Sequence, residues 1–323
     1  MGEFDLIRRF FTRDQQVARV GIGDDCAIFG AQVGYEHCIS TDMLVEGRHF
    51  LSDVDPAALG YKALATNLSD LAAMGAQPHS FLLSIGLPKA DERWLQAFSA
   101  GLFQLAERHN CPLIGGDTTR SPLVVINITV QGLVPHGAGV LRSGARVGDD
   151  IWVSGTLGDA ALGLALLEER IRVDDPDLRE RAISRLHWPE PRVALGMELA
   201  SIASSMMDLS DGLAGDLLHI LRASHRKAAV ELAHLPMRAS LRGLPRMQAL
   251  SLATAGGDDY ELLFTAEPRA SARIEQLAQD HELPLSRIGR ILPLAGGESP
   301  QIEWLLDGRP TQFEAQGFDH FDD

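Results

Sequence analysis

The stretch CISTDMLVEGRHFLSDVDPAALGYKALATNLSDLAAMGAQP, residues 38–78, decides the fold of the first half of the chain. Its start, together with the residues just before it, predicts a buried strand over residues 35–40. This strand leads directly into three adjacent oxygen-bearing side chains, Ser40, Thr41 and Asp42. The sequence therefore places a carboxylate and two hydroxyls at one strand end.

The second part of this stretch predicts a helix with two distinct sides. Asp55 is a good N-cap, Pro56 suits the first helical position, and Gly75 marks the stop. Polar residues recur on one side of this helix at intervals of three or four, and they include Asp70. A solvated helix face is the simpler explanation of one such aspartate. A functional role of Asp70 is favoured because similar acidic corners recur elsewhere in the sequence.

Acidic residues lie at glycine loops, strand ends or helix faces at six separate places in the chain. A turn or a cap explains each one taken alone, and Ser210 and Asp211 suit the start of the helix that follows them. All six together, several with hydroxyl neighbours, indicate a shared chemical role. The six places are Asp24/Asp25, Asp42, Asp70, Asp117, Asp208/Asp211 and Asp258/Asp259.

Oxygen ligands without histidine or cysteine clusters suit hard cations such as Mg²⁺ or Ca²⁺ better than zinc. Such cations would turn an acidic pocket into a polyphosphate site, and Arg142 and Arg146 could complete the neutralisation. The glycine loop at residues 155–159 is a weaker phosphate candidate, because it lacks the end of a Walker loop. The sequence has no GxSxG, HExxH or CxxC motif, which lowers the odds of acyl transfer, zinc hydrolysis and thiol chemistry.

The chain has 323 residues, 45% of them hydrophobic and 23% charged, which is enough for two domains with separate cores. A segment with proline and glycine at residues 135–139 predicts a boundary between domains 1–137 and 138–323. Residues 173–191 are polar and predict an exposed excursion. Hydrophobic spacing predicts strands at 81–87, 112–114, 123–134, 151–154 and 262–265, and helices at 91–109, 160–170, 193–201 and from Ser210 to 224.

The charge balance and the apolar runs restrict the partners. A net charge of -15 argues against a nucleic-acid surface or an anionic membrane surface, since both attract clustered lysine and arginine. No stretch of the sequence approaches the roughly 20 continuous apolar residues of a membrane helix. The first residues, MGEFDLIRRFF, do not have the pattern of a signal peptide, so a cytoplasmic location is expected.

A series of motifs carries a resemblance to a known family. GEFDLI, GIGDDCA, STDMLVEGRHF, YKALATNLSDLAAMGAQP, IGGDTTR, RSGARVGD, DLSDGL, GGDDYEL and GFDHF occur in this order between residues 3 and 321. Together they resemble the thiamine-monophosphate kinase family of the aminoimidazole ribonucleotide synthetase-like superfamily. The resemblance implies a two-domain α/β (α+β) fold, in which a mixed N-terminal sheet forms a homodimer interface and the C-terminal domain is α/β. It implies transfer of phosphate from ATP to thiamine monophosphate, the last step of thiamine diphosphate biosynthesis.

The resemblance also implies the site residues. Several Mg²⁺ ions would be held by Asp25, Ser40, Thr41, Asp42, Asp70, Asp117, Asp208 and Asp211. ATP would be contacted by Gly116, Asp117, Arg142 and Ser210, and thiamine monophosphate by His49, Asp258 and Phe318. Catalysis is expected to depend on Asp42, Asp117 and Arg142. Asp258 stands where glutamate is usual in the family, and Phe318 stands where tyrosine or tryptophan is frequent.

The implied mechanism is direct, in-line transfer without a covalent enzyme intermediate. The acceptor phosphate is already anionic near neutral pH, so positioning and charge neutralisation matter more than a general base. K⁺ is a further candidate cofactor. Two alternatives remain open: another ATP-using member of the superfamily, such as an amidine cyclo-ligase, and a non-catalytic cation-binding protein.

Overall fold

The computed structural model describes residues 6–17, 30, 32–313 and 315. These residues divide into two compact units. The first unit holds the described residues up to Leu71 together with Ala76–Gly139, and the second holds Ala72–Gly75 and the described residues from Val140 onward. Among all of these residues, no helix is long and apolar enough to cross a membrane.

The described part of the first unit contains a four-stranded mixed sheet, which confirms the mixed sheet expected in the N-terminal half. Its strands are β1 (Tyr35–Val45), β2 (Gln77–Leu87), β3 (Leu113–Arg120) and β4 (Val125–Pro135), and its helices are α1 (Pro56–Ala73) and α2 (Glu92–Arg108), after a π-helical turn at Ile7–Phe11. The strand order is β1-β4-β2-β3. β4 pairs antiparallel with β1 and β2, whereas β3 runs parallel to β2.

The ends of the first two helices are set by local chemistry. Asp55 accepts a hydrogen bond from the Ala57 backbone N–H at 3.2 Å, so it caps α1 as predicted. Asp91 caps α2 in the same way. Gly60 on α1 lies against the Phe98 carbonyl of α2, where a Cβ atom would collide with it. The two helices can therefore pack closely at this glycine.

Three predicted strands of the first unit are longer in the structure than the local pattern indicates. β1 does not end at Ser40 but continues to Val45, because every residue from Tyr35 to Val45 has a partner on β4. β3 likewise includes the whole GGDTTR segment, which pairs with β2 instead of forming a loop. β2 begins at Gln77, four residues earlier than predicted. Pairing between distant segments extends these strands beyond their apolar cores.

In the second unit, the described strands form a seven-stranded sheet, and helices connect many of these strands along the chain. The strands are β5 (Asp150–Ser154), β6 (Ser205–Asp208), β7 (Lys227–Glu231), β8 (Leu262–Ala266), β9 (Leu285–Leu292), β10 (Ile302–Leu306) and β11 (Arg309–Pro310). The helices are α3 (Asp159–Leu167), α4 (Pro176–His187), α5 (Val193–Leu199), α6 (Leu213–Ser224), α7 (Ala239–Arg242), α8 (Arg246–Ala255) and α9 (Ser271–Asp280), with 3-10 turns at Arg142–Gly144, Leu232–His234 and Pro268–Ala270. The sheet order is β11-β10-β7-β9-β5-β8-β6.

Two predictions for the second unit are wrong. The expected excursion at residues 173–191 contains α4, which Asp175 caps and whose residues Ala182 and Leu186 are buried. The helix expected to start at Ser210 begins at Leu213, with Gly212 in the capping position. Helix capping therefore explains neither Ser210 nor Asp211, although it was the simplest explanation of both.

Candidate functional site

The β1–α1 corner in the first unit brings predicted metal ligands together. Because β1 continues past Ser40, alternation places Ser40 and Asp42 on one face of the strand. The Ser40 hydroxyl donates a hydrogen bond to Oδ2 of Asp70 on α1. The backbone N–H of Asp42 donates to Oδ1 of Asn67 at 3.2 Å. Ser40 and the backbone of Asp42 on β1 therefore contact α1 directly. A shared role of the Asp42 and Asp70 carboxylates stays a prediction.

Asn67 is a part of this corner to which the sequence analysis assigned no role. Its side chain is fully buried, and its Nδ2 donates to the Ala63 carbonyl at 3.1 Å and to the Thr66 hydroxyl at 3.3 Å. These bonds fix the amide so that Oδ1 faces the strand. The available signal was the position of Asn67, three residues before Asp70 on the polar side of the helix.

Thr41 points to the opposite face of β1, so the structure separates its side chain from those of Ser40 and Asp42. Its hydroxyl donates to the Ile128 carbonyl at 3.0 Å. Asn127 on β4 donates to the Thr41 hydroxyl and to the Asp42 carbonyl, each at 3.1 Å. The Thr41 side chain thus ties β1 to β4 on the side away from Asp70.

Gly116 and Asp117 lie on β3, at the other edge of the same sheet. Across the sheet, Asp42 on β1 pairs with Ile128 on β4, Ile128 pairs with Leu83 on β2, and Leu83 pairs with Gly116 on β3. Two strands, β4 and β2, therefore lie between Asp42 and Gly116. At the usual strand spacing, roughly 14 Å lies between their backbones. Gly116 has a φ of +152°, and a Cβ there would collide with the Leu83 carbonyl. The sheet therefore holds Asp42 and Asp117 apart instead of converging them on one point.

His49 lies in the turn that follows β1. The Val45 backbone N–H donates to His49 Nδ1 at 3.0 Å. Because Nδ1 accepts this bond, a neutral His49 carries its proton on Nε2. This bond orients the His49 ring relative to the end of β1.

Two predicted site residues lie outside the described residues. They are Asp25, a predicted metal ligand, and Phe318, a predicted substrate contact. Both assignments remain predictions.

The DLSD segment at residues 208–211 forms the acidic corner of the second unit. Asp208 ends β6 and is 4% exposed. Asp216, in the first turn of α6, accepts the Asp211 backbone N–H at 3.1 Å. Burial raises the pKa of Asp216 to about 8, and the neighbouring charges of Asp208 and Asp211 add to this rise. Asp216 was not predicted from the sequence, although its place in the first turn of a helix after two other aspartates was a usable signal.

The turn at residues 256–261 lies beside this corner. The Asp258 N–H donates to the Ser210 carbonyl at 2.9 Å, and the Tyr260 N–H donates to the Leu209 carbonyl at 2.8 Å. The Tyr260 hydroxyl donates to the Asp258 carboxylate at 3.0 Å. The structure thus places the predicted substrate residue Asp258 next to the predicted ATP residue Ser210.

The glycine loop at residues 155–159 is not the anion site that it resembled. Its Gly158 N–H donates to Oδ2 of Asp259 at 2.8 Å, so a carboxylate of the chain itself occupies that donor. The neighbouring Asp159 is also buried and pairs with Arg238 at 3.2 Å. A phosphate placed here would meet two carboxylates.

Arg142 and Arg146 have different surroundings in the structure. Arg142 is exposed, and its backbone carbonyl accepts the Ser224 hydroxyl of α6 at 2.9 Å. Arg146 instead pairs with Glu267 at 3.1 Å. His219, which the sequence did not single out, has its pKa lowered by burial and by the charges of Arg142 and Arg222. Arg142 is therefore the better placed of the two arginines to meet an anion near the acidic corner.

Within residues 6–17, 30, 32–313 and 315, no three carboxylate, imidazole or thiol side chains come close enough together to form a complete metal site. The predicted metal ligands Ser40, Asp42 and Asp70 do form one oxygen-rich corner, and Asp208 and Asp211 form another. Their donor chemistry fits a hard cation, whose remaining ligands are commonly water and phosphate oxygens. The set of metal ligands remains a prediction.

Comparison with known proteins covers nearly the whole chain. Residues 23–134 match the AIR synthase related protein, N-terminal domain, and residues 146–298 match the C-terminal domain of the same family. The chain is 45% identical to thiamine-monophosphate kinase of Escherichia coli (strain K12) over 325 residues, which cover 99% of this chain and 98% of that protein.

Solved structures show the same similarity. The crystal structure of thiamine-monophosphate kinase from Stenotrophomonas maltophilia K279a shares 41% identity with a TM-score of 0.83, over 92% of this chain and 93% of that one. AaThiL complexed with AMPPCP and TMP shares 30% identity with a TM-score of 0.76, over 90% and 89% of the two chains. The chain therefore belongs to the thiamine-monophosphate kinase family of AIR synthase related proteins.

Proposed function

We propose that this protein transfers the γ-phosphoryl group of ATP to thiamine monophosphate, forming thiamine diphosphate and ADP as the last step of thiamine diphosphate biosynthesis. The observation that carries the proposal is identity of 45% along the full chain with an enzyme of that name. A similar structure is complexed with AMPPCP and TMP. The cytoplasmic location stays a prediction.

Mg²⁺ ions, when bound, would offset the charge of the two phosphate groups that must approach each other. In this chain Asp42 and Asp70 would hold one end of the polyphosphate through such an ion, with Ser40 orienting Asp70 by its hydrogen bond. Asp117 would act at the other edge of the sheet, and Asp208 and Asp211 would serve in the second unit. Asp25 and Thr41 complete the proposed set.

The remaining proposed roles concern positioning. Arg142 supplies positive charge to the transferred phosphoryl group, while Gly116 and Ser210 contact ATP. His49, whose ring is oriented by the hydrogen bond from the Val45 N–H, contacts thiamine monophosphate. Asp258 offers a carboxylate to the cationic thiazolium or to the aminopyrimidine donors, and Phe318 packs on a substrate ring. In-line transfer then needs no covalent intermediate.

We further propose that the exposed face of β1 pairs two copies of the chain. Along that face Tyr35, Ile39 and Met43, every fourth residue of the strand, are 40%, 64% and 54% exposed, and an exposed apolar row of this kind indicates an interaction surface. A second copy would cover them in an isologous interface. Light scattering at micromolar concentration should give the mass of a dimer, and Ile39→Lys should shift it toward the monomer. A monomeric mass for the unsubstituted chain would refute this assembly.

The activity is tested by incubating purified protein with ATP, thiamine monophosphate and Mg²⁺, and by separating the thiamine phosphates. Thiamine diphosphate should form in the presence of Mg²⁺, and its formation should stop when a chelator removes Mg²⁺. Repeating the assay with and without K⁺ decides whether a monovalent cation contributes. An amidine cyclo-ligase would leave thiamine monophosphate untouched, and a non-catalytic cation-binding protein would consume neither substrate.

A further inference from the structure

Two arginines reach into the interior of the second unit, one from the segment predicted to be an exposed excursion and one from just after it. Arg185 lies on α4, and Arg192 immediately precedes α5. Their side chains are only 13% and 15% exposed, and the side chain of their shared partner, Glu261, is 1% exposed. None of these three residues belongs to the proposed ligand contacts.

Glu261 is held by a dense set of donors. Arg192 binds both carboxylate oxygens, with Nε donating to Oε2 at 2.7 Å and Nη2 donating to Oε1. Arg185 Nη2 donates to Oε1 at 3.0 Å, and the Ser154 hydroxyl donates to Oε2 at 2.6 Å. A planar two-point contact of this kind fixes the carboxylate in direction as well as in distance. Glu261 is therefore a rigid point at the end of the turn.

Arg185 also contacts the turn itself. The nitrogen Nη2 that binds Glu261 donates to the backbone carbonyl of Asp259 at 3.1 Å. Asp259 lies between Asp258 and Tyr260, whose φ values are +68° and +49°. Left-handed backbone is unfavourable by roughly 1–2 kcal/mol for a residue with a side chain, so surrounding contacts must maintain it.

The opposite side of the turn is tied to the DLSD segment. The Asp258 and Tyr260 N–H groups donate to the carbonyls of Ser210 and Leu209, and the Leu209 N–H donates to the Glu261 carbonyl at 2.8 Å. The turn is thus fixed between the acidic corner and the two arginines. A buried ion pair adds little net stability compared with apolar residues of similar size, so stability alone is a weak reason for this arrangement.

We propose that Arg185 and Arg192 are positioning residues, which act through Glu261 and the Asp259 carbonyl to hold the turn in the conformation that presents Asp258 to thiamine monophosphate. This rests on the proposed contact between Asp258 and that substrate. Neither arginine needs to touch the substrate. The consequence is a set of residues that governs the affinity for thiamine monophosphate without governing the affinity for ATP.

The test is Arg185→Gln, with two readouts. Hydrogen exchange followed by mass spectrometry on peptides that span residues 257–262 should show the amides of Asp258 and Tyr260 exchanging about tenfold faster. Steady-state kinetics should show KM for thiamine monophosphate raised about tenfold, with kcat and KM for ATP changed by less than about twofold. Arg185→Lys, which keeps the charge but loses the planar fork, serves if Arg185→Gln does not fold and should move both readouts in the same direction.

Leu277→Ala is the control, because Leu277 is a buried residue of α9 and its truncation lowers stability without removing a bond to the turn. It should leave exchange in the turn and both KM values near those of the unsubstituted protein. Unchanged exchange in Arg185→Gln, or an equal rise in KM for thiamine monophosphate in Leu277→Ala, would overturn the proposal. Absence of phosphorylation by the unsubstituted protein would refute the proposed function instead, while the exchange measurement, which needs no substrate, would still decide whether Arg185 holds the turn.

Discussion

The acidic site residues of the first unit lie near the surface, whereas several acidic residues of the second unit are enclosed. Asp42 and Asp70 are half-buried and Asp117 is exposed. In the second unit, Asp208, Asp259 and Glu261 are 4%, 3% and 1% exposed. The same type of residue therefore meets solvent in one unit and the protein interior in the other.

This difference predicts different consequences of removing charge. A half-exposed carboxylate is well solvated, so neutralising it should change ligand binding more than folding. An enclosed carboxylate has lost its hydration and depends on partners such as Arg185 and Arg192, so neutralising it should change folding more than ligand binding. The substitutions below test this contrast.

The largest effect is expected for Asp42→Asn and Asp117→Asn. Each substitution is nearly isosteric and removes a charge that the proposed function uses to hold Mg²⁺, so turnover should fall roughly 100-fold or more. The melting temperature should stay nearly equal, because Asp42 is half-buried and Asp117 is exposed, so neither charge depends on a buried partner. Assays of product formation, together with thermal unfolding, measure both. Asp53→Asn, in an exposed loop, is the matched control. An equal loss of turnover in this variant would show that Asp42 and Asp117 have no specific role in binding Mg²⁺.

The second prediction concerns Glu261→Gln. Two guanidinium groups would lose their charged partner in a buried setting, so the free energy of unfolding should fall by about 3 kcal/mol. Urea denaturation measures this change. Glu267→Gln is the control, because Glu267 pairs with Arg146 and Arg269 at the surface, and its effect should stay within about 0.5 kcal/mol. Equal effects of the two substitutions would show that enclosure of Glu261 carries no energetic weight.

The third prediction is a pH dependence from Asp259. Burial raises the pKa of this carboxyl well above its usual range, so between the unfolded and folded pKa values the folded chain binds a proton that the unfolded chain has lost. Its contribution to stability is therefore present below about pH 4 and is lost as the pH rises toward the folded pKa. Asp259→Asn removes this loss, so its melting temperature relative to the unsubstituted protein should increase from about pH 5 to about pH 8. The difference in melting temperature between Asp53→Asn and the unsubstituted protein should change far less over the same pH range. If the corresponding difference for Asp259→Asn did not change with pH, the burial of this carboxyl would be contradicted.

The smallest effect is expected for Asp258→Glu. One added methylene lets the carboxylate reach further from the turn, so KM for thiamine monophosphate should change by a few-fold while KM for ATP stays nearly constant. Asp258→Asn should weaken the binding of thiamine monophosphate more strongly, because the charge is lost. Kinetics with each substrate varied in turn separate these effects. Unchanged constants for thiamine monophosphate in both variants would remove Asp258 from the proposed substrate contacts.

Features set by neighbouring residues were predictable from the sequence. Asp55 and Pro56 start α1 because a cap acts on N–H groups two or three residues away, and Gly75 follows its end with a φ of +68°. The sequence predicted that the strand end and the polar side of α1 face one pocket, and the hydrogen bond between Ser40 and Asp70 joins these two elements. The strand beyond Ser40 was not foreseen, because its partner on β4 lies about 90 residues further along the chain.

Contacts between distant residues account for the other errors. Nothing near Arg185 or Arg192 in the sequence points to Glu261, which lies 76 and 69 residues away. The cap proposed at Ser210 failed because Gly212 takes that position, which leaves the Ser210 carbonyl to bind the Asp258 N–H. Local propensity cannot rank such competing partners, since tertiary pairing decides between them.

The proposed function requires that the γ-phosphoryl group of ATP becomes the terminal phosphate of thiamine diphosphate. The most direct measurement supplies purified protein with Mg²⁺, thiamine monophosphate and ATP labelled with ¹⁸O in the γ-phosphoryl group, followed by mass spectrometry of the products. The proposed function predicts thiamine diphosphate that carries the label in its terminal phosphoryl group, together with unlabelled ADP. Labelled inorganic phosphate with unchanged thiamine monophosphate would contradict it.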